Sequence, residues 1–315
     1  MAQVERPSTI GVLGPGAVGG LIAALYWRAG HRVVCIGTSR AVESIAKSGI
    51  TVRSVVYGDF VARPEATQLL TSPVDILFVT VKSPFLPEAL SRVVDGVGAT
   101  TVVVPLLNGL GHREAIRRQL GPHVVVGTIG AVEVALSEER VVQHRSPMRP
   151  HIDIASDTDV DTETLRSIMS GIDDAGLSVS IAQSESAVIW NKLVRLCAIA
   201  TMTTFSQSPL GNVRSNPAQR ELLESIVKEV AKVAVAEGAD IRADQVVQQI
   251  DGLPGRLTTS LQRDVYSGSP SEIEAIVGEV LRLGQKHEFS LPVLESAYSS
   301  IQERIGRQRE PDFRH

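Results

Sequence analysis

The chain has 315 residues, and its 31 Lys and Arg against 35 Asp and Glu give a formal net charge of -4. At roughly 150 residues per domain the length suggests about two domains, and 43% hydrophobic with 21% charged residues excludes disorder over most of it. The mild acidity argues against a general nucleic-acid binder, which needs a basic footprint, and against attraction to an anionic membrane. Two cysteines, Cys35 and Cys197, exclude a disulfide scaffold and a cysteine-rich metal site, and 4% aromatics leave little for base stacking.

Near the start, Glu5, Arg6 and Pro7 precede an apolar stretch from Ile10 to Leu25 that five glycines and Pro15 interrupt. That is neither a signal peptide nor a membrane span, so a soluble cytoplasmic protein is expected. Short β-branched runs then predict strands at Thr9–Leu13, Arg32–Ile36, Asp75–Thr80, Thr101–Val104 and Val124–Ile129, with helices over Val18–Ala29 and Leu86–Val94. This alternation predicts βαβ units and a mainly parallel sheet. Arg140–Ile154 reads as edge strands or a hairpin. Near Ser184 the rhythm becomes helical. Helices are expected at Ser184–Thr201, from Asn216 to Gly238, and around Asp244–Ile250, Thr258–Tyr266, Glu272–Gly284 and Pro292–Ile305. The second of these opens with an Asn cap, Pro217 at the first helical position and Gln219 at the third. The chain thus reads as an α/β N-terminal Rossmann dinucleotide-binding domain over 1–183 and a C-terminal all-helical domain over 184–315.

The first predicted strand runs into G-x-G-x-x-G at Gly14, Gly16 and Gly19, and the intervening Pro15, Ala17 and Val18 complete the loop. Gly14 permits the tight turn, Gly16 lets a pyrophosphate approach the backbone, and Gly19 lets the new helix pack on the strand. The free N–H groups at the helix start face the anion. At the end of the second strand, where an acidic residue would select NAD, stand Thr38, Ser39 and Arg40. No carboxylate repels a 2′-phosphate and Arg40 offers it a cation, so NADP is the expected cofactor; an ordinary exposed loop arginine is the alternative. In the helix from Ser184, Lys192 lies inside the apolar stripe of Val188, Ile189, Leu193, Leu196, Cys197 and Ala200. A lysine there needs a partner or loses its proton, unless it snorkels past the stripe to solvent. The seven histidines form no ligand-spaced pair with a cysteine or another histidine, so no metal is expected.

Several segments together resemble the ketopantoate reductase (2-dehydropantoate 2-reductase) family: the glycine loop, Val79-Thr-Val-Lys82, Leu107-Asn-Gly-Leu-Gly111, Trp190-Asn-Lys192-Leu, Thr259-Ser-Leu-Gln-Arg-Asp264 and Ser271-Glu-Ile-Glu274 with Gly278. The resemblance implies a Rossmann domain followed by a helical domain, with the active site in the cleft between them. It implies NADPH-dependent reduction of ketopantoate to pantoate, in pantothenate synthesis. Lys192 matches the catalytic lysine that holds the keto oxygen and supplies its proton. Glu272 matches the glutamate that works beside it, and otherwise reads as a first-turn helix carboxylate. Ser260 matches the serine that contacts the substrate carboxylate, and otherwise reads as a helix cap. Asn108 matches the asparagine at the junction of cofactor and substrate, though Asn-Gly also suits a turn. Lys82 matches a lysine near the cofactor, or is a solvated loop lysine; Asp264 reads as structural.

Two departures from the family pattern stand out. Asparagines that commonly lie four and eight residues after the catalytic lysine, and bind polar substrate groups, are here Leu196 and Ala200. Thr38 stands where the family often has arginine, and Arg40 offers that charge two residues later. The leading expectation is therefore ketopantoate reduction. The alternatives are a more apolar 2-oxo acid on the same scaffold, or a non-catalytic NADP-binding sensor, which has no need of Lys192, Glu272 and Ser260 together. The expected partners are a small-molecule 2-oxo acid and, in a homodimer, a second copy of the chain.

Overall fold

The structure is a computed structural model that describes residues 8–130, 132–157 and 160–309. It divides into two units. One comprises the residues through Leu107 together with His112–Val188, and the other comprises Asn108–Gly111 with the residues from Ile189 onward.

In chain order the first unit contains β1 (Thr9–Leu13), α1 (Ala17–Arg28), β2 (Arg32–Ile36), α2 (Ser39–Ser48), β3 (Ile50–Ser54), β4 (Phe60–Ala62), β5 (Glu65–Thr67), β6 (Ile76–Val79), α3 (Leu86–Leu90), β7 (Val102–Pro105), α4 (His112–Leu120), β8 (Val126–Gly130), β9 (Val134–Leu136), β10 (Val142–His144), β11 (His151–Ala155), α5 (Thr162–Asp174) and β12 (Ser178–Ile181). Helix α6 (Glu185–Ser206) follows. The second unit continues with α7 (Leu210–Ser215), α8 (Pro217–Ala236), α9 (Ala243–Asp251), α10 (Ser260–Tyr266), a π-helical segment Glu274–Gly278, α11 (Glu279–Lys286) and α12 (Pro292–Arg309).

The main sheet has the order β5-β2-β1-β6-β7 and is parallel throughout. Its central strands are buried along nearly their whole length, which is why they read as continuous apolar runs rather than as alternation. Strand order reverses at β1, so the crevice at the carboxyl ends of β1 and β6 is the topological switch point where open α/β sheets take ligands. Helix α1 is apolar nearly all round and packs Tyr26 against Phe78 of β6, ring centroids 5.4 Å apart.

Two smaller sheets, β4-β3-β10-β9 and β12-β11-β8, complete the first unit. The stretch Arg140–Ile154 reads as edge strands or a hairpin, and here the structure corrects the sequence reading, since its two strands lie in different sheets and do not pair with each other. β10 lies between β3 and β9, and β11 lies between β8 and β12. The short, polar-flanked strands hid partners up to ninety residues away. The helix expected over Leu86–Val94 is also shorter: α3 stops at Leu90, with 3-10 turns at Ser83–Phe85 and Val94–Gly96.

His144 of β10 is buried, with Nδ1 2.9 Å from the Ser54 hydroxyl and Nε2 2.9 Å from that of Ser146. Burial holds its pKa below the ordinary 6.5. Below that value the unfolded chain binds a proton that the folded chain refuses, so this stability is present above the unfolded pKa and is lost as pH falls. Acidification from about pH 7.5 to about pH 5.5 is expected to lower the thermal midpoint, and His144→Asn to flatten that slope. An equal slope in the variant would assign the acid sensitivity to other groups.

Glu185, at the start of α6, is buried and takes Arg117 Nη2 at 2.5 Å, Arg113 Nη1 at 2.9 Å and the Asp157 N–H at 3.1 Å. Removing the carboxylate takes away the buried anion that Arg113 and Arg117 share, although Arg113 keeps Glu114 and Arg117 keeps the Val124 carbonyl. Glu185→Ala is expected to cost about 3–5 kcal/mol in denaturant unfolding; a loss below about 1 kcal/mol would mean that the arginines re-pair or hydrate freely.

In the second unit α8 starts as its sequence implies: Pro217 is its first residue and the Asn216 side chain accepts from Gln219 N at 3.2 Å. Its apolar stripe, with Leu223, Ile226, Val230 and Val233, packs into a core shared with α6, α10 and α12. The helix expected from Glu272 to Gly284 is not uniform. A π-helical turn occupies Glu274–Gly278 before regular α-helix resumes. Single π turns are frequent at functional sites because they shift the register of side chains on either side. Among the described residues no helix is long and apolar enough to cross a membrane.

Candidate active-site residues and the glycine loop

In the first unit the glycine loop is locked from two sides. Gly14 N donates to Ile36 O at 2.9 Å, and Gly14 has φ +87°, where a Cβ would lie 2.5 Å from Val81 Cγ1. The Thr80 hydroxyl, just after β6, donates to both Leu13 O and Gly14 O at 2.9 Å. A Cβ on Gly19 would collide with that hydroxyl and with Gly14 O, so α1 can approach the strand only as glycine. Gly16 is different: the nearest atom to a Cβ there is 3.9 Å away, which leaves open space above the loop. Gly16 caps α1, no acidic residue stands in its first turn, and no side chain caps its N–H groups. This donor set and its open approach fit a dinucleotide pyrophosphate.

At the end of β2, Thr38 caps α2, Ser39 Oγ donates to Gln68 Oε1 at 3.0 Å, and Arg40 is exposed. Pro15 lies on this same edge, with its Cδ 3.2 Å from the Cβ position of Gly37. Arg140, which sequence reasoning passed over, donates from Nη2 to Pro15 O at 3.3 Å. No spacing rule links a hairpin residue to a loop 125 positions earlier. Lys82 is half-buried at the start of the 3-10 turn after β6.

In the second unit three of the expected residues meet. Lys192 Nζ donates to Asn108 Oδ1 at 2.8 Å, and Asn108 Nδ2 donates to Glu272 Oε2 at 3.0 Å. The amide orientation follows from its partners, because the reverse would set donor against donor and acceptor against acceptor. Glu272 is buried, whereas Lys192 and Asn108 are half-buried. Lys192 therefore does not snorkel away from the stripe; it is tied through an amide to a buried carboxylate.

Asn108 is held by its own turn. Gly109 has φ +85°, a Cβ on it would collide with Ala275 O, and Leu110 N donates to that same oxygen at 2.8 Å. Ala275 belongs to the π-helical segment, so the distortion after Glu272 is what receives the Asn108–Gly111 turn. The sequence motif displayed the Asn-Gly pair but not this partner, because π geometry has no residue signature.

Ser260 is the first residue of α10, but the cap is Thr259, whose hydroxyl accepts from Gln262 N at 3.2 Å and lies 3.2 Å from Thr203 Oγ1. The half-buried Ser260 hydroxyl thus has no capping task. The Asp264 carbonyl accepts from Ser269 N at 2.9 Å in the turn that ends α10. Of the two departures on α6, Leu196 is half-buried and Ala200 is 0% exposed, inside the core. Only Leu196 has surface to offer a ligand.

One further residue was missed. Arg195, three positions after Lys192 and so on the same side of α6, is half-buried, and burial lowers its pKa with no anion to offset it. Among the described residues no hydrogen bond or ion pair engages it. A second cation beside the lysine suits an acid ligand. Among the described residues no group of three or more His, Cys, Asp or Glu could hold a metal ion.

Comparison with known proteins agrees over both units. The sequence profile of Ketopantoate reductase PanE/ApbA matches residues 10–156, and that of its C-terminal region matches residues 186–304. The chain is 28% identical over 301 residues to a 2-dehydropantoate 2-reductase of Vibrio cholerae, covering 92% of this chain and 95% of that one. It is 24% identical over 297 residues to the uncharacterized oxidoreductase YkpB of Bacillus subtilis, covering 92% and 97%. The ternary structure of a D-mandelate dehydrogenase with NADH and anilino(oxo)acetate has the same fold, with a TM-score of 0.88 at 19% identity over 96% of this chain and 100% of that one.

Proposed function

Because this chain belongs to the ketopantoate reductase family, and so is an NADP-dependent oxidoreductase, we propose that it reduces the keto group of a 2-oxo acid, with ketopantoate (2-dehydropantoate) as the named substrate. The observation that carries this reading is the hydrogen-bonded series Lys192–Asn108–Glu272. The reduced nicotinamide, when bound, supplies the hydride. Lys192 holds the keto oxygen and stabilises the negative charge that develops on it. It then gives that oxygen its proton. Asn108 fixes the direction of Nζ, Glu272 holds that amide in place as its acceptor, and the lysine regains its proton from solvent. Ser260 and Arg195 supply a hydroxyl and a cation for the carboxylate. Thr38, Ser39, Arg40 and Lys82 face the cofactor with the loop from Gly14 to Gly19.

Leu196 favours a second substrate reading. A leucine in place of an amide leaves a buried substrate hydroxyl without a partner, and the D-mandelate dehydrogenase of the same fold, described with anilino(oxo)acetate, supports keeping a different oxo acid in view. The test is NADPH oxidation with ketopantoate against 2-oxo acids that lack its hydroxyl. A clear preference for ketopantoate supports the named substrate; a preference for the apolar acids moves the substrate and keeps the chemistry; no turnover with any member rejects the reading.

A further inference from the structure

Arg140 occupies a position that backbone energetics do not favour for arginine. It sits at the tip of the hairpin between β9 and β10 with φ +62°, a left-handed conformation that glycine or asparagine adopts at less cost. Its N–H donates to Ser137 O at 2.9 Å, and Val141 N donates to the Ser137 hydroxyl at 3.1 Å, so the turn itself is well bonded without any side chain at 140. A strained backbone that carries a long cation points to a task for that cation.

The side chain turns back onto the glycine loop, to Pro15 O. Pro15 lies against Gly37 at the end of β2, two residues before Ser39 and three before Arg40. Arg40 is near enough that its charge, together with burial, weakens the proton affinity of Arg140. Among the described residues neither arginine has an ion pair, and the only side-chain hydrogen bond of either is the one to Pro15. Two guanidinium groups are therefore brought to one edge of the glycine loop with no carboxylate between them. Such a pair repels until an anion arrives. In a dinucleotide-binding sheet, the end of the second strand is where the adenosine ribose hydroxyls lie.

We propose that Arg140 is the second jaw of a clamp for the ribose 2′-phosphate, with Arg40 from α2 as the first and the bond to Pro15 O fixing the clamp to the pyrophosphate loop. This rests on dinucleotide binding by the glycine loop and deepens it: the choice between NADP and NAD is made by two arginines a hundred residues apart in the chain that meet at one edge of the loop. A bidentate guanidinium on each side matches a dianion with three acceptor oxygens. Thr38, where the family often has arginine, is thereby compensated twice.

The test is the dissociation constant of NADPH and of NADH, measured separately by nucleotide fluorescence for the unaltered chain, Arg140→Gly, Arg40→Ala and the double variant. Glycine suits φ +62°, so Arg140→Gly is expected to keep the thermal midpoint. NADPH binding is expected to weaken roughly ten- to hundredfold in Arg140→Gly, with NADH changed less than about threefold. The two substitutions are expected to be non-additive for NADPH, since they share one phosphate, and the salt dependence of NADPH binding is expected to fall. Equal weakening of NADH and NADPH would make Arg140 a strut for the loop and overturn the clamp, as would no change in either. If the unaltered chain binds neither nucleotide, the dinucleotide reading falls and the clamp with it.

Discussion

Lys192→Ala is expected to lower kcat for 2-oxo acid reduction by about a hundred- to ten-thousandfold, the range that a positioned proton donor contributes, and to leave the dissociation constant of NADPH within about twofold. The reasoning starts from the amide. A lysine ammonium has three donors; with one directed to Asn108 Oδ1 at 2.8 Å, the group is oriented rather than swept through its rotamers. Orientation before the substrate arrives is what makes a charge useful in the transition state. Alanine removes charge, proton and direction together, but touches nothing in the glycine loop. Asn108→Ala separates these effects. It keeps the ammonium and removes its guide, so kcat is expected to fall less than in Lys192→Ala, and the pH profile of kcat to move, because the amide that bonds to both Lys192 and Glu272 is gone. Turnover in Lys192→Ala within tenfold of the unaltered chain would sink the assignment. An unchanged pH profile in Asn108→Ala would reduce the amide to a turn residue.

The sequence displayed those features whose cause is local. The glycine loop is legible because its three glycines fall at the fixed spacing of one turn and one helix start, Gly14 and Gly19 where a Cβ would collide and Gly16 where the approach is left open. The start of α8 is legible because Asn216, Pro217 and Gln219 act on one another's backbone. Lys192 stood out because a charge in an apolar stripe breaks the pattern. What remained hidden depends on distant partners. β10 reads as an edge because the residues of β3 and β9 that flank it leave no mark on its own three positions. The π-helical turn after Glu272 reads as ordinary helix, because its side-chain pattern differs from α by a single residue. Arg140 and Arg195 read as two arginines among many, since an arginine acquires meaning only from the anion it lacks. Ala200 shows the converse error. The family resemblance put it on a pocket wall, yet it is wholly enclosed in the core; a matched position on a helix face does not say whether that face is open.

That difference between Leu196 and Ala200 decides how the substrate question is best asked. Introducing asparagine at both positions confounds two effects, because an amide forced into the closed surroundings of Ala200 costs packing and leaves polar atoms without partners. Leu196→Asn alone acts on a half-buried position one turn after Lys192 and beside Arg195. If Leu196 lines the place where the substrate's tail rests, the new amide gives a hydroxyl a partner that leucine denies it. A buried hydroxyl left unpaired costs about 1–3 kcal/mol, which is about one to two decades in selectivity at 1.4 kcal/mol per decade. The kcat/KM ratio of ketopantoate to the 2-oxo acid lacking its hydroxyl is therefore expected to rise about ten- to hundredfold in Leu196→Asn. Most of the change is expected in KM, because the tail is remote from the bond being reduced and is held alike in ground and transition states. The lysine is untouched, so kcat for the apolar acid stays within a few-fold. A ratio that does not move would place Leu196 away from the substrate, and the choice between a hydroxylated and an apolar oxo acid would then rest with residues other than those on this face of α6.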